Sequence, residues 1–195
     1  MANSDTCPEW GADPGSDIPE WLQNHPLRTD TVVFLEYLRA HRPVGTQNRG
    51  NLPLKAVREI CSRFVDPPPM EEIVGEKVYR VRNEEEVRRL VFVHELAFVQ
   101  GLAGGGRCRQ WRLTTDGEEF LELSPSLQLQ MLFYTWWLSY NWRHHYPWAN
   151  LEESLPLSFK PLTLDRLVHL PVGESVPFEE FADRLIADTG LVSAH

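Results

Sequence analysis

Cys108, His94 and Asp116 are the residue types of a nucleophilic triad: a thiol to attack, an imidazole to take its proton, a carboxylate to orient the ring. No motif spacing ties them together, and Cys108 falls in a stretch that reads as a β-hairpin. His144, His145, Glu152 and Glu153 are metal-ligand types. Adjacent histidines rarely converge on one ion, and these two do not have the spacing of a helical His-x-x-x-His site. There is also no Gly-rich loop ending in Lys-Ser/Thr to cradle a phosphate. The expectation is therefore a non-enzymatic chain with no catalytic residue, no metal and no cofactor. An enzyme without a recognisable motif is the alternative class.

Binding chemistry is better represented. Arg107, Arg109 and Arg112 lie on or beside the hairpin stretch, and Arg42, Arg49, Lys55 and Arg58 lie near the second helical stretch upstream. Together they are the residue types that contact phosphates, or else an ordinary solvated face. The net charge is −9, which does not favour a phosphate backbone. It is unevenly placed. Residues 1–27 carry Asp5, Glu9, Asp13, Asp17 and Glu20 and no Lys or Arg, whereas residues 28–66 hold an excess of cations. Aromatic residues are dense from Phe133 to Trp148, including Tyr140, Trp142, Tyr146 and Trp148. The tripeptide Pro-Glu-Trp occurs twice, ending at Trp10 and Trp21. These rings either tack segments onto a core or meet a partner.

The elements that would position these residues follow from periodicity and punctuation. Pro8, Gly11, Pro14, Gly15, Pro19 and Pro26 predict an acidic arm over 1–28. Val32, Val33, Leu35 and Leu38 predict a helix over 29–41, closed by Pro43. A short extended piece at 44–47 leads to a second helix over 53–64. Pro67-Pro68-Pro69 opens a loop with a short strand near 78–81. Asn83 is read as the cap of a largely buried third helix over 84–101, with Glu84, Glu85 and Glu86 in its first turn. A hairpin over 101–114 with Gly104-Gly105-Gly106 at its tip comes next, then a helix capped at Thr114 or Thr115, with Glu118 as capping-box partner of Thr115. The apolar run over 126–142 predicts the central core helix. Further helices are expected near 162–170 and 178–188, with an extended piece at 172–176 between them.

The segment from Leu96 through Gly101-Leu102, and then Leu113-Thr114-Thr115-Asp116-Gly117, looks like the helix, Gly-Leu, wing, Leu-Thr-x-x-Gly signature of many winged-helix proteins. Thr46–Pro53 resembles the strand-to-helix turn of a group of uncharacterised prokaryotic winged-helix proteins, which are in turn similar to the winged-helix N-terminal region of bacterial XPB-type helicases. No helicase motor is present. The resemblance implies a mainly α fold with a short β-hairpin. A winged-helix-like domain would occupy 29–123, and an aromatic-rich helical extension 124–195, with a partial second winged helix starting near Pro161.

The cysteines Cys7, Cys61 and Cys108 are odd in number and far apart, as free thiols in a reducing cytoplasm would be. No apolar run is long enough to span a membrane. The functional expectation is a macromolecular-recognition module, a protein-binding adaptor or regulator. Its partner would be met by Tyr140, Trp142, Tyr146 and Trp148 or by Trp10 and Trp21. The rival is a DNA-binding transcriptional regulator using the wing and residues 42–58, with only weak nucleic-acid contact expected of so acidic a chain.

Overall fold

In the computed structural model, residues 20–75, 77–140, 159–170 and 176–189 are described. They are mainly helical, with two antiparallel two-stranded hairpins. The chain divides into a first unit ending at Thr135 and a second beginning at Trp136.

A short helix, α1 (Glu20–Gln23), precedes the long α2 (Pro26–His41). Pro26 starts α2 because the first turn has no use for the amide hydrogen that proline lacks. The helix thus begins inside the stretch read as an arm. Asp30, Thr31, Phe34, Leu35, Tyr37 and Leu38 recur at three- and four-residue intervals and are buried. Arg42 ends the helix in the left-handed conformation at φ 45°, its amide donating to the Leu38 carbonyl at 3.1 Å. Pro43 then blocks continuation.

The next residues join the second hairpin. The Trp111 amide donates to Pro43 O at 2.8 Å and the Gly45 amide to Arg109 O at 2.9 Å. Val44 bridges Gln110 and Gly45 bridges Arg107. Gly45 is required there: a Cβ would lie 2.2 Å from the Gly106 carbonyl oxygen. Helix α3 (Leu54–Cys61) follows, with Pro53 at its cap and Ala56, Val57, Ile60 and Cys61 buried. Strands β1 (Glu71–Val74) and β2 (Lys77–Arg80) form an exposed ribbon with Ile73 opposite Val78.

Several boundaries differ from the sequence expectation. The three glutamates form a separate 3₁₀ turn, Glu84–Glu86, and α4 runs from Arg88 to Val99. The Asn83 side chain does not cap that turn. It bonds Glu86 at 3.1 Å, and Glu84 is drawn inward by partners of its own. Helix α4 is also less buried than expected: Leu90, Val93, His94, Leu96 and Ala97 face inward, but Phe98 and Val99 are exposed. In the β3 (Ala103–Gly106) and β4 (Arg109–Leu113) hairpin the glycines lie in the strand, and Arg107-Cys108 make the tip. Gly105 leaves room for the Trp111 ring, which a Cβ would approach to 2.4 Å.

Thr114, and not Thr115, caps α5 (Thr115–Glu122), its hydroxyl accepting from the Gly117 amide at 3.0 Å. Glu118 therefore sits one position beyond a capping-box partner and turns to Arg39 instead, at 3.6 Å. Ser124 caps α6 (Pro125–Tyr134), which passes into a π turn at Thr135–Ser139.

The run over 126–142 is not the centre of the core. Leu132 and Trp137 are buried, but Leu127, Met131, Phe133, Tyr134 and Leu138 are exposed. An all-round apolar helix end is compatible with burial on one side only. The core of the first unit is instead Phe34, Leu35 and Leu38 of α2, Val57 and Ile60 of α3, Leu90, Val93 and Leu96 of α4, with Leu102 and Phe120. In the second unit, α7 (Phe159–Val168) packs with α8 (Phe178–Thr189), and Arg166 pairs with Asp188 at 2.7 Å. The extended piece expected at 172–176 falls, but for Val176, outside the described residues.

Candidate functional site

The cations picked out in the sequence sort into two sets. Arg49 lies 2.5 Å from Glu85, which also accepts from Asn51 at 3.0 Å. These hydrogen bonds hold the Glu85 carboxyl below its ordinary range and push the Arg49 guanidinium above its own. Lys55 lies 3.8 Å from Glu59 one turn along α3. Glu59 in turn accepts the Tyr37 hydroxyl at 2.6 Å. Burial, and then Glu59, drive that phenol well above its usual range. Arg49 and Lys55 are thus locally neutralised. Arg58 stands exposed on α3, and Arg107 is exposed at the hairpin tip.

Arg42, Arg109 and Arg112 behave differently. They line one groove of about 830 Å³, together with Arg39 from the last turn of α2. Arg42 reaches it from the left-handed cap, while Arg109 and Arg112 come from β4. Gly104, Gln110, Thr114 and Thr115 supply most of the remaining wall. Arg39 has Glu118 as a partner; among the described residues no carboxylate pairs with Arg42, Arg109 or Arg112. Sequence reasoning missed Arg39. Its signal is its place three residues before Arg42, on the same side of the helix end.

The triad residues are not assembled. Cys108 is exposed at the hairpin tip with φ 56°, and Asp116 is exposed in the first turn of α5. His94 is buried, its Nδ1 lying 2.5 Å from Glu84 Oε1, and its ring stands edge-on to Trp111 with centroids 4.2 Å apart. His144, His145, Glu152 and Glu153 lie outside the described residues; among those described, no three His, Cys, Asp or Glu side chains are grouped to hold a metal ion.

The aromatic candidates fare unevenly. Trp10, Trp142, Tyr146 and Trp148 lie outside the described residues, as does the side chain of Trp21 in α1. Tyr140, expected as an exposed contact, is only 5% exposed. Besides the exposed residues of α6 and its π turn, exposed apolar surface that sequence reasoning assigned to the core lies on α4, at Phe98 and Val99. Beside it is a hollow of about 210 Å³ lined by Asn51, Glu84, Glu85, His94, Phe98 and Trp111.

The hollow is lined in part by a buried polar clasp that sequence reasoning also missed. Glu84 accepts the Leu52 amide at 2.6 Å as well as meeting His94. Asp30 accepts the Val65 amide at 3.0 Å and Arg89 Nε at 2.5 Å, tying α2 to the end of α3 and the start of α4. The buried Cys61 feels both carboxylates. Burial, helped by Glu84 and Asp30 and opposed by Arg89, pushes its thiol up to about 12. In the unfolded chain the thiol ionises near 9, so the unfolded state loses a proton that the folded state keeps. The contribution is intact below pH 9 and is lost as pH rises from there towards 12, at up to about 1.4 kcal/mol per pH unit. Urea unfolding across pH 8 to 11 is expected to show a smaller alkaline loss for Cys61→Ala than for the unaltered chain; equal losses would contradict this reading.

No helix among the described residues is long and apolar enough to cross a membrane. No protein-family model matches the chain, and no curated protein or solved structure does either.

Proposed function

We propose that the chain is a non-catalytic recognition module, a protein-binding adaptor or regulator of the cytoplasm, built on a winged-helix-like scaffold. The order α2, the bridge at Val44–Gly45, α3, α4 and the β3–β4 hairpin supports the scaffold part of the reading. The α7–α8 pair, in this reading, is what the chain holds of a second, partial copy.

One observation carries the choice of partner. In a DNA-reading winged helix the third helix presents polar and cationic side chains to base edges. Here the exposed part of α4 carries Phe98 and Val99, and exposed Glu85 and Glu86 stand just ahead of it, with Arg88 the exposed cation. With Glu85 already paired to Arg49, such a surface offers phosphates little and suits the mixed apolar and polar contact of a protein interface.

The second reading, a DNA-binding regulator, is favoured by the exposed Arg42, Arg107, Arg109 and Arg112, which have the chemistry for phosphate contact. Affinity capture from the native cell, with and without nuclease, separates the two. The protein reading expects a partner retained after nuclease and lost with Phe98→Ala/Val99→Ala, whose fold is checked by circular dichroism. Loss of all partners on nuclease treatment would overturn it.

A further inference from the structure

We propose that the groove between the end of α2 and strand β4 seats an acidic segment of a partner protein. The inference rests on the protein-recognition reading and names a second contact for it, on residues separate from the exposed part of α4.

Four arginines, Arg39, Arg42, Arg109 and Arg112, line a groove whose lining includes a single carboxylate, Glu118. Glu118 lies 3.6 Å from Arg39 and so shows which chemistry the groove accepts: a carboxylate set against a guanidinium. The other three guanidiniums have no such partner among the described residues, although the chain carries 28 acids against 19 Lys and Arg. A guanidinium presents a planar fork that matches carboxylate geometry. The groove is about 830 Å³ and lacks aromatic rings on which bases could stack. A net charge of −9 opposes the approach of a long polyanion such as duplex DNA. A short run of carboxylates, by contrast, meets mainly the local excess of cations.

Backbone conformation gives independent support. Arg42 is held at φ 45° and ψ 55°, a cap conformation that glycine adopts without strain and a long side chain does not. A strained residue placed where its charge completes the groove is the pattern of a functional position.

The test uses the purified full chain and labelled peptides. A peptide of six glutamates is expected to bind saturably at low salt, and its six-glutamine counterpart is not. Arg109→Gln/Arg112→Gln is expected to weaken binding at least about threefold, from two lost surface ion pairs. Arg58→Gln, outside the groove, leaves it unchanged. Arg42→Gly also weakens binding without lowering the melting temperature, which separates loss of the ligand from loss of the fold. Three results would overturn the proposal: no saturable binding of the glutamate peptide, equal binding of the glutamine peptide, or affinity unmoved by the double substitution. A short random duplex that binds more tightly than the glutamate peptide at the same salt would reassign the groove to nucleic acid. Failure here leaves capture through Phe98 and Val99 untouched, so the two readings fail separately.

Discussion

Glu84→Ala is expected to lower the stability of the first unit by at least about 2 kcal/mol, from about 1–3 kcal/mol for each buried polar partner left unsatisfied. Glu84 is 3% exposed, and each of its oxygens is engaged, one by His94 Nδ1 and the other by the Leu52 amide. Truncation leaves both buried partners without their acceptor. Glu84→Gln keeps an acceptor for Leu52 and loses less. In the double variant with His94→Ala part of the loss is recovered, because the orphaned imidazole is gone too. Urea unfolding measures all three. A loss under about 1 kcal/mol for Glu84→Ala would show that the pair is not the clasp described.

Phe34→Ala should cost about 3–5 kcal/mol, the range for emptying a large buried aromatic site. Phe34 is fully buried among the packed faces of α2 and α4, with its ring 5.1 Å from that of His94. Leu127→Ala, on the helix that reads as most apolar in the sequence, should cost less than about 1 kcal/mol, since Leu127 is 46% exposed. The contrast locates the core by unfolding midpoint. Equal costs would return it to the 126–142 stretch.

What was legible in the sequence was whatever periodicity and punctuation determine locally. The inner face of α2, the stop at Pro43 and the hairpin before Thr114 follow from residue spacing and turn chemistry. The burial of Glu84 did not: three adjacent glutamates look alike in a sequence. Only the long-range meeting with Leu52 and His94, ten or more residues away, singles out the first of them. The apolar run over 126–142 misled for a related reason. Hydrophobic composition says that a helix can be buried, while which of its sides finds a neighbour is decided by tertiary packing. The groove was half legible. Arg42, Arg109 and Arg112 were picked out by type, but Arg49 and Lys55 looked equivalent to them until Glu85 and Glu59 appeared alongside.

The central claim, that this scaffold recognises protein and not a DNA sequence, is met most directly by selection from a random duplex pool with the purified chain at physiological salt. No motif should be enriched, and residual duplex binding should be no tighter than about 1 µM, the upper end of sequence-independent affinities. Enrichment of a single motif, abolished by Arg107→Ala/Arg109→Ala/Arg112→Ala, would contradict the account and make the hairpin arginines a DNA-reading wing.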